Sequence, residues 1–366
     1  MKKQLFWFVF LAALLVTGCA GCTVPAGEET DSGSLTIMTW NVHNLFDGED
    51  NGYEYEEFLQ ASGWSAEKYL GRLNSISDAI SRINPLPDII LLQEIESLTV
   101  LEDLAEAISD VSSGSYSWSH FAGNPGAAVG LGILSSYPLA DIKTHSITIN
   151  GDTTPRPVLE TKVQTNDNVP DFIIFACHWK SKVGGDEITE HTRKASARVI
   201  LRRIRELQES EPELGIIIAG DLNLTHDEFY RQNASRICAL LPDDPYCAML
   251  TQGIQKDYIV ISRNIPPAPV HFPQETIVFY SPWMRELENG TYFYRNNWET
   301  IDHFLVSSQF FTDSGWEYQK TIVVNFPPFA NANGIPVSYN TRTGLGISDH
   351  LPLVMTLIMS VKTDAD

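Results

Sequence analysis

The most constraining feature of this sequence is a series of short apolar segments that each end in a polar side chain. The segments TIMTW, IILLQ, FIIFAC and IIIAG are followed by Asn41, Glu94, His178 and Asp221. Two later segments end at Ile301 and at Ser348, and they are followed by Asp302 and by Asp349-His350. Short apolar runs of this kind indicate buried strands. If these strands lie in facing sheets, their polar ends converge and predict one cleft.

The remaining pattern predicts many strands and only a few long helices. Ser65 is typical of a helix cap, and it begins a helix over 65–84 that Pro85 ends. The apolar face of this helix is expected to consist of Tyr69, Leu70, Leu73, Ile76, Ile80 and Ile83. Further helices are expected around 97–110 and 187–209. Strands are expected near 35–40, 88–93, 115–121, 128–135, 139–149, 157–165, 171–178, 215–220, 291–295, 301–306, 316–324 and 351–359. This order favours packed sheets covered by helices.

Composition and charge exclude several classes of protein. Hydrophobic residues make up 43% of the 366 residues and charged residues 19%, which is typical of a globular protein and excludes a disordered or coiled-coil chain. The formal net charge of -21 argues against a protein that grips nucleic acid through a broad basic surface. This net charge is compatible with a local basic groove.

The N-terminus is predicted to be an export signal with a lipid anchor. Met1-Lys2-Lys3 is followed by an apolar run from Leu5 to Val16, which is too short to span a bilayer core of roughly 20 residues. Small residues then precede Cys19, as in a bacterial lipobox, and Cys22 is the weaker alternative site. We therefore predict a lipoprotein signal over 1–18, a flexible tether over 19–34 and a catalytic domain over 35–361. Loss of the two leader lysines makes the net charge -23.

Three cysteines lie within the predicted domain. Cys238 and Cys247 are close in sequence, so in an exported protein they form either a local disulfide or two buried free thiols. The sequence leaves these two alternatives open. Cys177 lies inside an apolar strand and is expected to be a small buried hydrophobic residue.

The residues that end the strands suit a hard cation and a water nucleophile. The sequence contains no clustered thiolates, no glycine-rich phosphate loop and no serine in a nucleophile-elbow context. Carboxylate and amide oxygens are the ligands that Mg²⁺ and Mn²⁺ prefer, and magnesium keeps several waters for a substrate phosphate. The remaining acids and histidines can orient a water and stabilise developing charge. The pattern therefore predicts hydrolysis of a phosphate ester.

Seven sequence blocks between residues 39 and 354 resemble one superfamily of phosphoesterases. In chain order they are TWNVHNLFDG, LLQEIES, GLGILSSYPL, CHWKSKVGG, IIAGDLNLT, IDHFLVS and ISDHLPLV. The chain resembles the endonuclease/exonuclease/phosphatase superfamily, which includes pancreatic-type deoxyribonuclease, abasic-site endonuclease, bacterial sphingomyelinase and inositol polyphosphate 5-phosphatase. The resemblance implies a four-layer α/β sandwich, with two packed mixed β-sheets flanked by helices and the site at the sheet edges.

The resemblance also implies a role for each site residue. Glu94 would be the main metal carboxylate, with Asn41 beside it and Asp349 completing the metal environment. Asp221 would orient or deprotonate the attacking water, and Asn223 and Arg156 would contact phosphate oxygens. His350 would stabilise the pentacovalent phosphate, Asp302 would fix the tautomer of His350, and His178 would be a second site histidine.

Two positions depart from the family pattern. His43 stands where many relatives carry an acid that helps to hold a second metal ion, which weakens the case for a second Mg²⁺, although an imidazole could bind Mn²⁺ or Zn²⁺; the number of metal ions stays open. Nuclease members also pair their equivalent of His178 with an acid near the GLGILS strand. This chain has only Gly130, Leu131 and similar residues there, which leaves the role of His178 open.

The substrate is expected to be nucleic acid, and the protein is expected to be a monomeric nuclease at the cell surface or in the periplasm. A sphingomyelinase-type phospholipase C or a sugar or inositol phosphate phosphatase is the alternative within enzymes. A third hypothesis is a non-enzymatic binding lipoprotein. The complete set of site residues argues against it. The aromatic-rich stretch within 225–300 could be a membrane hairpin, a wall of the substrate groove or a packed insertion, with packing as the default expectation.

Overall fold

The structure is a computed structural model, and it describes residues 33–154, 156–165 and 169–360. The expected leader over 1–18, the tether over 19–34 except its last two residues, and Cys19 with its proposed lipid lie outside the described residues. No helix within the described ranges is long and apolar enough to cross a membrane.

The described chain contains eighteen strands and five α-helices. In the first half these are β1 Ser34–Leu45, α1 Ala66–Ser81, β2 Ile89–Ile95, α2 Leu98–Val111, β3 Trp118–Ala122, β4 Gly130–Ser135, β5 Leu139–His145, β6 Thr148–Ile149, β7 Asp152–Thr153, β8 Val158–Val163 and β9 Phe172–His178. In the second half they are α3 Asp186–Ser210, β10 Gly215–Asp221, α4 Glu228–Arg231, β11 Leu240–Pro242, α5 Pro245–Leu250, β12 Ile259–Ser262, β13 Val278–Tyr280, β14 Tyr292–Tyr294, β15 Asn297–Glu299, β16 Asp302–Val306, β17 Gly315–Val323 and β18 Leu353–Ser360. The predicted helices and strands are present with boundaries that differ by a few residues, except that the strand predicted over 139–149 divides into β5 and β6, which belong to different sheets.

Two large mixed sheets form the centre of the fold. The first has the strand order β17-β18-β1-β2-β4-β3, and the second has the order β11-β12-β13-β16-β10-β9-β8-β5. Side chains alternate between the two faces of each strand, so Ile37 of β1 enters the core between the sheets while Met38 faces the helices. Helices α1 and α2 cover the outer face of the first sheet, and α3 covers the outer face of the second. The four-layer α/β sandwich expected from the sequence is therefore confirmed.

Helix α1 begins as its sequence predicts, but its buried face is different. The Ser65 hydroxyl accepts a hydrogen bond from the Lys68 backbone N–H at 3.3 Å, which is a standard N-cap. Leu70 was expected on the apolar face, and that prediction is wrong because 54% of its surface is exposed. Arg72, which the hydrophobic pattern passes over, is buried in its place with 1% exposure.

The aromatic-rich stretch within 225–300 packs at one edge of the second sheet, whereas β14 and β15 of the same range form a separate hairpin. Residues 225–300 also contribute β11, β12 and β13, three short strands that the sequence did not predict. Phe279, Tyr280 and Trp283, all from the aromatic-rich stretch, are buried. Cys238 and Cys247 are both free buried thiols, so the structure favours the second of the two alternatives for this pair.

A buried carboxylate fastens α3 to the second sheet. Glu160 of β8 is fully buried, and it accepts three hydrogen bonds from Arg203 of α3 at 2.8 to 3.0 Å. His145 lies 2.7 Å from the same carboxylate, and Lys143 lies within 3.5 Å. Burial alone would raise the pKa of Glu160, but the His145 and Arg203 hydrogen bonds outweigh it and lower the pKa to about 2.

The lowered pKa of Glu160 predicts a defined loss of stability in acid. A carboxylate with a depressed folded-state pKa stabilises the protein above its unfolded value, near 4.5, and this stability disappears as the pH falls toward about 2. Glu160→Gln should cost roughly 2–3 kcal/mol at pH 7, because Arg203 loses its buried charged partner and keeps only the exposed Glu206. It should also flatten the acid limb of a urea-unfolding series between pH 5 and pH 2, whereas an unchanged acid limb would refute this assignment.

Candidate functional site

The six polar strand ends predicted to converge do lie together at one edge of the two sheets. In the second sheet, Asp221 pairs in register with His178 of the parallel strand β9 and with Asp302 of the antiparallel strand β16. In the first sheet, Asn41 of β1 and Glu94 of β2 lie at the facing edge. The Asn41 amide joins the two sheets, because it donates to Glu94 at 3.1 Å and to Asp221 at 3.2 Å.

Irregular backbone directs the side chains of the first sheet into the cleft. Pairing of β2 with both of its neighbours shifts register around Glu94, which has a left-handed φ of 67°. A bulge of this kind re-aims one side chain out of the strand pattern. His43 and Asn44 also adopt positive φ angles, of 56° and 62°, just after Asn41. Such conformations cost free energy in residues other than glycine, and they concentrate at functional sites.

Asp302 and His350 form the most buried ion pair of the cleft. His350 Nδ1 lies 2.8 Å from Asp302 Oδ2, which also accepts a hydrogen bond from the Thr291 hydroxyl at 2.6 Å. Burial by itself lowers the pKa of His350, but Asp302, Asp349 and Asp221 more than reverse this effect and raise the pKa to about 10. The surrounding carboxylates therefore favour the protonated form of His350, whose Nε2 lies 4.0 Å from Asp349.

Burial also shifts the pKa values of Asp221 and His178: it raises the pKa of Asp221 and lowers the pKa of His178. Burial and the nearby Asp302 raise the pKa of Asp221 to about 7, while His350, Arg156 and the Asn223 N–H oppose the rise. Burial lowers the pKa of His178 well below its usual range, so this imidazole is neutral. His178 Nε2 lies 3.6 Å from Asp221 and 3.7 Å from Glu94. The Nε2 atom of His178 therefore faces two carboxylates of the cleft.

Asn223 and Arg156 lie at the cleft and share a hydrogen-bond partner. Both side chains donate a hydrogen bond to the Trp179 carbonyl, and the Asn223 amide does so at 3.1 Å. The Asn223 N–H also donates to Asp221 at 2.9 Å, which holds that carboxylate in place. The two residues expected to bind phosphate therefore lie next to each other, on the side of the cleft formed by the second sheet.

Asp349 lies at the more open side of the cleft, next to His43. The His43 and Asp349 side chains are 3.9 Å apart and are 30% and 27% exposed. His43 Nδ1 is buried without a hydrogen-bond partner. This pair is the part of the predicted set that is most accessible to solvent.

The donor chemistry of the cleft fits a divalent cation. Asp221, Asp302 and His350 place one potential ligand atom each within 4.8 Å of one another. Asp302 Oδ1 is buried with no hydrogen-bond partner, which leaves a carboxylate oxygen available inside the cleft. Glu94 adds carboxylate oxygens next to this group, to which the Asn41 amide joins it, and the set contains no thiolate, so it suits Mg²⁺ or Mn²⁺ rather than a soft metal.

Arg72 is the main residue of this region that sequence reasoning missed. Its guanidinium donates to the carbonyl groups of Ile347 at 2.9 Å, of His43 at 3.0 Å, and of Val42. It thereby ties the end of β1, which carries Asn41, to the segment that carries Asp349 and His350. The Tyr339 ring covers the guanidinium at 3.9 Å. The available signal was an arginine on the apolar face of α1, three residues after Tyr69.

Comparisons with known proteins agree with this architecture. Residues 36–236, more than half of the chain, match the model of the Endonuclease/Exonuclease/phosphatase family. The chain therefore belongs to this family, whose enzymes are phosphoesterases and generally depend on divalent metal ions. No curated protein sequence matches the chain significantly.

Solved structures with the same fold are distant in sequence. Truncated TDP2 from Caenorhabditis elegans has a TM-score of 0.52 at 15% identity, over 89% of this chain and 97% of that one. A family protein from Bacteroides thetaiotaomicron has a TM-score of 0.51 at 17% identity, over 92% of this chain and 98% of that one. A mannosyl-6-phosphatase from the same bacterium has a TM-score of 0.50 at 17% identity, over 89% and 100%. At these identities the likeness establishes the fold.

The Arg72 contacts predict a large effect from a substitution outside the cleft. Arg72→Met should destabilise the protein by about 2–4 kcal/mol, because three carbonyl groups lose their donor in a buried setting. Arg82→Met, at the end of the same helix, should stay within about 0.5 kcal/mol of the wild type. Urea unfolding of both variants measures this difference. Equal stabilities would contradict the stabilising role of the Arg72 hydrogen bonds.

Proposed function

We propose that this protein is a divalent-metal-dependent phosphodiester hydrolase, and that it acts as an exported nuclease. The observation that carries the proposal is that Asp221, Asp302 and His350 are buried with one potential ligand atom each within 4.8 Å of the others. Glu94 lies beside them, hydrogen-bonded to the Asn41 amide. Membership of a phosphoesterase family supports the same reaction class. An arrangement of buried acids, an imidazolium and amide donors suits attack by water on a phosphate ester.

Each side chain can be given a role that its contacts support. Asp221, with a pKa raised to about 7, is suited to orient the attacking water and take its proton. His350 carries a positive charge that can stabilise the developing phosphorane, and Asp302 holds its tautomer and orientation. Asn223 and Arg156 would contact phosphate oxygens from one side of the cleft. His178 is neutral and would support the two carboxylates rather than donate a proton.

The metal environment is proposed to consist of Glu94, Asn41 and Asp349. Glu94 supplies the carboxylate, the Asn41 side chain lies beside it, and Asp349 lies on the open side of the same cleft. A bound Mg²⁺ or Mn²⁺ would neutralise charge on the phosphate and lower the energy of the developing oxyanion. His43 beside Asp349 makes a second Mg²⁺ ion unfavourable, since imidazole is a poor ligand for this cation.

Nucleic acid is the substrate class that we favour. Phe279, Tyr280 and Trp283 of the aromatic-rich stretch are buried, which argues against a membrane-inserting role for that stretch and weakens the sphingomyelinase alternative. A sugar or inositol phosphate phosphatase remains the second enzymatic outcome of the test below.

An assay with four substrates distinguishes a nuclease from a phospholipase and from a phosphatase. The purified protein is incubated with Mg²⁺, Mn²⁺ or EDTA against plasmid DNA, RNA, sphingomyelin and inositol phosphates. We expect metal-dependent cleavage of nucleic acid and none in EDTA. Cleavage of lipid or small phosphates alone would replace the nuclease assignment, and no hydrolysis with any metal would overturn the enzymatic proposal.

Two neighbouring glutamates provide a matched test of the metal role. Glu94→Gln should raise the Mn²⁺ concentration needed for half-maximal activity by at least tenfold, because the variant loses the charged metal ligand. Glu96→Gln is the control, since Glu96 accepts hydrogen bonds from Asp47 and Asn51 and does not contact the other cleft residues. A similar metal requirement in both variants would contradict the role of Glu94.

The N-terminus is proposed to anchor the enzyme to a membrane through a lipid on Cys19, with the monomeric domain held by the 19–34 segment. The basic start, the apolar run and the small residues before Cys19 support this proposal. Cys19→Ser should move the protein from the membrane fraction to the soluble fraction, whereas Cys22→Ser should not. Retention of Cys19→Ser in membranes would refute the anchor, and sedimentation of the released protein tests the monomer.

A further inference from the structure

A two-stranded hairpin that the proposed mechanism does not use lies directly against His350. Strands β14 and β15 pair through Tyr292↔Glu299, Phe293↔Trp298 and Tyr294↔Asn297. Tyr292 also forms an isolated antiparallel bridge with His350, and the Leu351 N–H donates to the Thr291 carbonyl at 2.8 Å. The hairpin is therefore fixed to the wall of the cleft by backbone contacts.

One face of this hairpin carries a row of rings that leads away from His350. The Tyr292 ring lies 4.8 Å from the His350 ring, and the Tyr294 ring stacks beyond it at 6.2 Å with an interplanar angle of 20°. The Arg295 guanidinium lies 5.0 Å above the Tyr294 ring. We call Tyr292, Tyr294 and Arg295 the tyrosine platform.

The tyrosine platform is not explained by core packing. Phe293 and Trp298, on the opposite face of the hairpin, contact each other at 5.0 Å, and Trp298 packs against the first hydrophobic core. Tyr294 in contrast keeps 47% of its surface exposed. Arg295 and Asn296 both have positive φ, as a tight two-residue hairpin turn requires, so the platform is presented on a short and well-defined turn.

We propose that the tyrosine platform binds a nucleobase next to the scissile phosphate, so that the enzyme prefers single-stranded nucleic acid. This inference rests on the proposed nuclease function. A base that is free of its complementary strand can stack on an aromatic ring without regard to sequence, and an arginine beside the ring strengthens the contact. The row begins at His350, so a strand whose phosphate lies at the catalytic group extends over Tyr292 toward Tyr294.

The net charge of the chain favours a contact that does not depend on electrostatic attraction. With a formal net charge of -21, the protein gains little from general attraction to a phosphate backbone. Stacking does not depend on net charge, so it supplies affinity that electrostatics does not. A membrane is a less suitable partner for this hairpin, because its tip consists of the polar residues Arg295, Asn296 and Asn297.

Binding to a strand with bases and to a matched strand without them tests the proposal. The probes are a fluorescein-labelled ten-nucleotide oligothymidylate and an abasic strand of the same length and charge, measured by anisotropy in EDTA. Full-length protein carrying Cys19→Ser is used throughout, so that no lipid contributes. We expect the oligothymidylate to bind about tenfold more tightly than the abasic strand, within the range of one stacked base.

Three further variants locate the effect. Tyr294→Leu should remove about tenfold of the affinity for oligothymidylate without changing binding of the abasic strand, and Tyr294→Phe should retain it. Tyr246→Leu removes an exposed tyrosine of α5 and should change neither affinity. Equal binding of both strands by the parent protein, or an unchanged Tyr294→Leu, would overturn the platform. Loss of binding to phosphatidylglycerol vesicles in Tyr294→Leu, with strand binding intact, would assign the hairpin to a membrane instead.

Hydrolysis of bis(4-nitrophenyl) phosphate with Mn²⁺ separates this inference from the proposed function. If the parent protein cleaves neither this diester nor DNA, the nuclease proposal fails whatever the binding data show. If it cleaves both and Tyr294→Leu retains full activity toward single-stranded DNA at low substrate concentration, only the platform fails.

Discussion

The structure depends on one electrostatic constraint, which is the burial of several acids at one edge of two sheets. Asp221 and Asp302 are 2% and 1% exposed, and Glu94 lies beside them across the Asn41 amide. Like charges that are brought together without water raise each other's free energy steeply. The protonated His350 compensates part of this charge, and the open carboxylate oxygens leave room for a divalent cation to compensate more. The same charge arrangement that limits stability is therefore the one that suits phosphate chemistry.

Strand register converts this constraint into a precise site. Asp221 is aligned with both His178 and Asp302 by backbone hydrogen bonds, so these side chains are placed by the sheet rather than by mobile loops. The contributions from the first sheet need more support. Bulged backbone aims Glu94, and Arg72 ties the end of β1 to the segment before His350. A rigid arrangement of this kind lowers the cost of reorganisation during the reaction.

Much of this arrangement could be predicted from the sequence, and the failures have clear causes. Strand ends were predictable because apolar runs and the residues after them are local features, and the blocks around Asp221 and His350 resemble a known superfamily. Burial of Arg72 in place of Leu70 depends on carbonyl groups that are distant in sequence. Strands β11 to β13 are too short to show periodicity. The contact between the Tyr292 and His350 rings arises only from the tertiary structure. Local sequence patterns therefore predicted the layers of sheets and helices. They did not predict the polar contacts between residues that are distant in sequence.

The central claim is that the pair formed by His350 and Asp302 stabilises the transition state of phosphodiester hydrolysis. Its most direct test is the steady-state kcat of His350→Ala on DNA at saturating Mn²⁺, with folding verified by circular dichroism. Loss of the His350 imidazole, which contacts Asp302, should lower kcat by about two to four orders of magnitude, with a much smaller change in KM. A folded variant with near-normal kcat would contradict the account.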